Sequence, residues 1–163
     1  MLKMVLKVVA AAVTLVLVFI LGWAGGVTGW MREAPAESLT DLERDFAARM
    51  ENVVLTGHFT IEGEERRDGV PERYEIARVT KLDGNLWRFE ARVQYGNTDA
   101  TLPMVLPVEW AGDTPVVSIT DFAIPGLGDE FGARVVFYDE RYAGTWDHGP
   151  YGGMMYGIIA PMD

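Results

Sequence analysis

Residues 142–159 read YAGTWDHGPYGGMMYGII, with one tryptophan, one histidine, two methionines and five glycines in a short span. His148 and Asp147 are metal-ligand types, and the chain holds one other histidine, His58. Closure of a first strand on a last one would bring these three groups within reach of an ion. Their spacing fits no ligand signature, and no metal site is expected. Ser38 and Ser118 are the only serines, and neither stands in a G-x-S-x-G setting. The chain has no cysteine, which removes thiol chemistry, thiolate metal sites and disulfides. The acid pairs Glu64-Glu65, Asp129-Glu130 and Asp139-Glu140 fall in expected turns, where solvated charge is the default. No catalytic residue and no cofactor is expected, and the chain reads as a non-enzyme.

The glycines of that stretch read as geometry. Tyr142, Gly144, Trp146 and His148 alternate on one strand, residues 147–152 turn, and Gly153, Met155, Gly157 and Ile159 alternate on the return. Glycine opposite an indole leaves room for the ring and permits sharp coiling. A phosphate-binding loop would lead into a helix, and no helix is expected here.

Twofold alternation runs through the chain from Val54 onward. NLWRFEARVQY sets Trp87, Phe89, Ala91, Val93 and Tyr95 on one face and charged or amide residues on the other. Residues 102–110, 117–119 and 131–137 repeat the pattern, with turn signals such as Asp83-Gly84 between them. Asp83-Gly84 predicts a two-residue type I′ loop. The fold expected is mainly β: an antiparallel meander of about eight strands, as a small barrel or a curled sheet. Pro103 and Pro107 share a face and predict an edge strand or a bulge. RYEIARVTKL changes phase midway, and a bulge would turn Tyr74, Ile76, Ala77 and Val79 all toward the core. One amphipathic helix precedes the strands, with Ser38 as its cap, Asp41 completing an S-x-x-D box, and Leu39, Leu42, Phe46, Met50 and Val53 as its apolar stripe.

Gly144-Thr145-Trp146 resembles the G-x-W strand motif of lipocalins and the G-T-W strand of avidin-like barrels. In those families the motif stands on the first strand; here it stands on the seventh, and no basic residue follows Arg141 to pack on the indole. The resemblance implies a calycin-like barrel as a shape. The whole chain also resembles bacterial membrane-anchored proteins, a likeness that implies no activity.

In a barrel of this kind Phe59, Tyr74, Trp87, Phe89, Trp110 and Trp146 face inward. They either line a pocket for a small apolar ligand or fill the core, and a filled core is the commoner state of eight-stranded barrels. Residues 121–129 read as an apolar loop, with Phe122, Ile124 and Leu127 forming a lid, a contact site for a protein partner, or a patch packed on the helix.

No charged residue occurs in the 24 positions between Lys7 and Arg32, enough to span a bilayer as a helix. Lys3 and Lys7 precede this run, so the N-terminus is expected in the cytoplasm and the rest outside it, periplasmic in a Gram-negative cell. A retained signal anchor and a signal peptide cleaved near Ala24 both fit; the anchor is preferred because the apolar run continues past that point. Residues 33–163 carry 11 basic and 24 acidic groups, a net charge of −13 that disfavours nucleic acid as a partner. The expected organisation is a transmembrane helix over 1–30, a linker over 31–37, and an extracytoplasmic domain over 38–163. Such a chain reads as a tethered binding or interaction module, or else as an accessory subunit of a membrane complex.

Overall fold

A computed structural model describes residues 32–63, 69–95, 98–124 and 128–163. The expected membrane span and the side chains of Ile124 and Leu127 lie outside the described residues. No helix among the described residues is long and apolar enough to cross a membrane.

One helix, α1 (Asp41–Arg49), precedes eight strands: β1 (Val53–Phe59), β2 (Val70–Lys81), β3 (Leu86–Tyr95), β4 (Thr98–Ala111), β5 (Thr114–Ile124), β6 (Gly128–Tyr138), β7 (Arg141–His148) and β8 (Tyr151–Pro161). Every neighbour in sequence is a neighbour in space, and β1 closes on β8, giving an antiparallel barrel. Alternation along each strand points one set of side chains inward, among them Leu55, Trp87, Phe89, Val108, Val117, Val135 and Tyr142.

The helix start differs from expectation. Thr40 is the cap: its Oγ1 accepts from the Glu43 N–H, and the Glu43 carboxylate accepts from the Thr40 N–H. Ser38 closes a 3-10 turn over Ala36–Ser38 instead, donating to the Pro35 carbonyl at 2.7 Å. With the helix phased from Thr40, Phe46 and Met50 are buried and Leu42 is exposed. The helix therefore closes one end of the barrel with a narrower stripe than the five apolar residues indicated.

The bulge in β2 is present, with a register shift between Ile76 and Arg78. Tyr74, Ile76 and Val79 face inward, but Ala77 is the extra residue and is exposed. Arg78 consequently points out and pairs with Glu90 at 2.8 Å. The β2–β3 loop spans Leu82 to Asn85, and only Gly84 has positive φ there, whereas a type I′ turn needs two such residues. Pro103 and Pro107 do not make β4 an edge strand, because the barrel is closed. Val108 donates its N–H toward β3, to the Asn85 carbonyl, so residues 103 and 107 address β5. Neither proline has an N–H to give, and register pairing of β4 with β5 is confined to Val108–Ala111.

Candidate functional site

The inward side chains fall into two layers that differ in exposure. At the helix end they form a packed floor. Phe46 meets Trp87, Phe89, Trp110 and Phe137 with ring centroids 5.3, 6.4, 6.1 and 6.0 Å apart. Trp87 is 0% exposed, its indole N–H has no hydrogen-bond partner among the described residues, and the Lys81 ammonium lies 5.2 Å from its ring centre. Three of the six residues expected to line a pocket, Trp87, Phe89 and Trp110, belong to this floor.

Toward the opposite end several inward positions are only partly buried, although Val93 and Glu72 are 7% and 4% exposed. Phe59, Tyr74, Met104, Ile119, Trp146 and Met155 point into the barrel yet keep contact with solvent. Phe59 and Trp146 meet edge to face at 5.5 Å. The Trp146 indole lies across Gly153 and donates to the Thr60 carbonyl at 3.0 Å. We term this partly exposed half of the interior the cup; its lining is aromatic and apolar, and Tyr74, Met104, Ile119 and Met155 pack against the core cluster.

The segment 121–129 is mostly strand, not a loop. Residues 121–124 end β5 and residues 128–129 begin β6, with register shifts around Phe122 and positive φ at Asp121 and Glu130. Phe122 packs against the core cluster as a wall residue. It does not form a lid.

On β2, two residues from Tyr74, sits a group that the apolar pattern did not single out. Glu72 is 4% exposed, the buried charged residue among the described ones. Tyr74 donates its hydroxyl to Glu72 Oε2 at 2.7 Å, and Tyr142 donates to Oε1 at 2.9 Å. Glu72, Gly57, Gly157 and Tyr142 are register partners across β2, β1, β8 and β7. A Cβ at Gly57 would lie 2.4 Å from the Tyr142 hydroxyl, and one at Gly157 would lie 2.6 Å from its ring. The two glycines thus let one tyrosine cross two strands to reach the carboxylate. Glu72 was visible in sequence only as an acid two residues before Tyr74, hence in phase with it. Burial pushes the Glu72 carboxyl above its ordinary value, and the two tyrosine hydroxyls and the His58 charge oppose that shift. Burial, and then the neighbouring carboxylate, push the Tyr142 hydroxyl far above the usual phenol range.

The raised carboxyl gives a signed prediction. The native state holds the Glu72 proton more tightly than the unfolded chain, so this group favours folding most below pH 4.5 and its contribution is lost as pH rises through the folded value. Glu72→Gln is expected to flatten that fall. Denaturation midpoints of both forms between pH 4 and pH 8 test this; parallel curves would show that the carboxyl titrates no differently in the fold.

The histidines do not converge. His58 points outward beside Tyr156, and His148 stacks on Phe131 at 4.0 Å on the inner face. No group of three His, Asp or Glu side chains fit to hold an ion occurs among the described residues. An open groove of about 730 Å³ runs outside β2–β4. Charged side chains there are in ion pairs, Arg92 with Glu75 at 3.5 Å and Glu90 with Arg78 at 2.8 Å.

Comparison with protein-family models, with curated proteins and with solved structures finds no match. The class that fold and site define is a closed, helix-stoppered, eight-stranded antiparallel barrel. Nothing positive in the chain or in these comparisons indicates catalysis.

Proposed function

We propose that this chain is a non-catalytic binding module, tethered outside the cytoplasmic membrane by its N-terminal apolar run, that takes a small, mainly apolar ligand into the cup. The observation that carries this reading is a difference in exposure within the barrel interior: floor residues such as Trp87 and Val108 are 0% and 1% exposed, whereas the inward Phe59, Tyr74, Met104, Ile119, Trp146 and Met155 still meet solvent. Apolar walls with few polar groups are what small-molecule sites present, and Tyr74, partly exposed and held by Glu72 at 2.7 Å, offers a polar group beside them. The calycin-like shape implied by Gly144-Thr145-Trp146 agrees with this use.

The test is titration of the full chain in lipid nanodiscs with the neutral dye N-phenyl-1-naphthylamine. A saturable fluorescence gain above that of empty nanodiscs is expected. Ala133 is the register partner of Ile119 and Trp146, so Ala133→Phe adds a ring between them and should weaken binding at least tenfold, while Trp87→Phe in the floor should leave it unchanged. Unsaturable binding, or binding indifferent to Ala133→Phe, overturns the ligand reading. The tether has its own check: a reporter active only in the cytoplasm, fused after Asp163, should be silent.

A further inference from the structure

The outer wall of β6–β8 is apolar where a solvated barrel wall is normally polar. Val136, Tyr138, Met154, Tyr156 and Ile158 are 39%, 59%, 53%, 49% and 59% exposed. The register makes them one surface: Val136, Ala143 and Tyr156 share a row, Tyr138, Arg141 and Ile158 the next, and Arg134, Thr145 and Met154 a third. Carboxylates are missing from these three rows in a domain whose net charge is −13. Exposed apolar side chains gathered on one wall in this way mark an interaction site.

The strand at its centre states which partner fits. β7 presents Arg141, Ala143, Thr145 and Asp147 outward, a cation at one end, an anion at the other and two small residues between. A twofold axis at the level of Gly144 lays β7 antiparallel on another β7 and sets each Arg141 against the opposing Asp147. Only a second copy of this chain meets both ends with the opposite charge by symmetry. Ala143 and Thr145 allow close approach on the axis, and the flanking tyrosines, Met154 and Ile158 pack around them. Arg141 is available for this role: its contact with Asp139 is 3.5 Å long, and both side chains are about two-thirds exposed. The described chain also leaves the wall open. Glu33 pairs with Arg88 on β3 and the Ala34 N–H bonds to Lys81 on β2, across the barrel from β7.

We infer that the β6–β8 wall is an isologous interface between two copies of this chain, with Arg141 of each paired to Asp147 of the other. Three strands, and the edges of their neighbours, measure roughly 20 Å on a side, so the pair buries on the order of 1,000 Å² in total, at the lower end of specific interfaces.

The absence of cysteine makes a clean test. The full chain in nanodiscs or membranes, carrying Thr145→Cys, is treated with a short bis-maleimide crosslinker; Thr101→Cys, exposed on β4 across the barrel, is the control. A dimer adduct is expected at position 145 and not at 101. Arg141→Glu should reduce the adduct at least tenfold, and the charge swap Arg141→Glu with Asp147→Arg should restore it. Association through the membrane span alone would label both positions equally or neither. That outcome, no adduct at 145, or an adduct indifferent to Arg141→Glu, overturns the proposal; rescue by the swap cannot come from a variant that has failed to fold.

Discussion

Gly153→Val is expected to destabilise the barrel by about 3 kcal/mol or more, the upper end of overpacking costs. A Cβ at Gly153 would lie 2.0 Å from the Thr60 carbonyl oxygen and 2.7 Å from its carbon. Those atoms are backbone, so no rotamer change relieves the clash. The strands themselves must separate, and they separate where Thr60 and Met154 are bonded at 2.8 Å and Trp146 reaches across. The sequence pattern also assigns this glycine to Trp146, but as room for the indole; the tighter constraint is the approach of the β1 backbone. Met154→Val, the next residue and outward-facing, should change stability by no more than about 0.5 kcal/mol. Denaturant midpoints of the two variants decide the matter. Equal midpoints would mean that the closing seam is looser than its contacts indicate.

Phe46→Ala is expected to cost about 3–5 kcal/mol, the range for removing a buried ring whose site cannot collapse. Phe46 is 1% exposed and is the shared neighbour of four aromatic rings from β3, β4 and β6. Nothing else from α1 reaches so far into the floor. Glu43 fastens the helix at its rim through Lys81, at 2.6 Å with both side chains 14% exposed. Leu42→Ala, by contrast, should fall within about 0.5 kcal/mol, since that side chain is 43% exposed. Thermal unfolding of both variants tests the plug; a loss near zero for Phe46→Ala would place the helix off the barrel.

The strands were legible because alternation is a strong local signal. NLWRFEARVQY gives the phase of β3 directly, and the lost phase in RYEIARVTKL marks the bulge that turns Arg78 outward to Glu90. Other features depend on partners distant in sequence. Leu42 fits an apolar stripe, but the cap at Thr40 and the barrel rim leave it in solvent. Pro103 and Pro107 signal a missing ladder, yet an edge strand and a local parting of β4 from β5 look alike until the barrel is seen to close. Of the six expected pocket residues, the division into floor and cup follows from which end α1 occupies, and no periodicity encodes that. Glu72 shows the same limit. Alternation places it inward, but its two hydroxyl partners stand 2 and 70 residues away, and the second reaches it only over Gly157 and Gly57.

Closure of β1 on β8 sets the order of assembly. Their register partners, Val53 with Pro161 through Phe59 with Met155, stand roughly a hundred residues apart. Each hairpin from β1 to β8 can zip locally, but the final seam requires all the others to be in place. Such non-local pairing places the barrel among slow folders, on the scale of milliseconds to seconds. Until that step both outermost strands offer unpaired N–H and C=O groups to any neighbouring chain. A truncation within β8 therefore yields no smaller barrel; it leaves an open sheet with two adhesive edges.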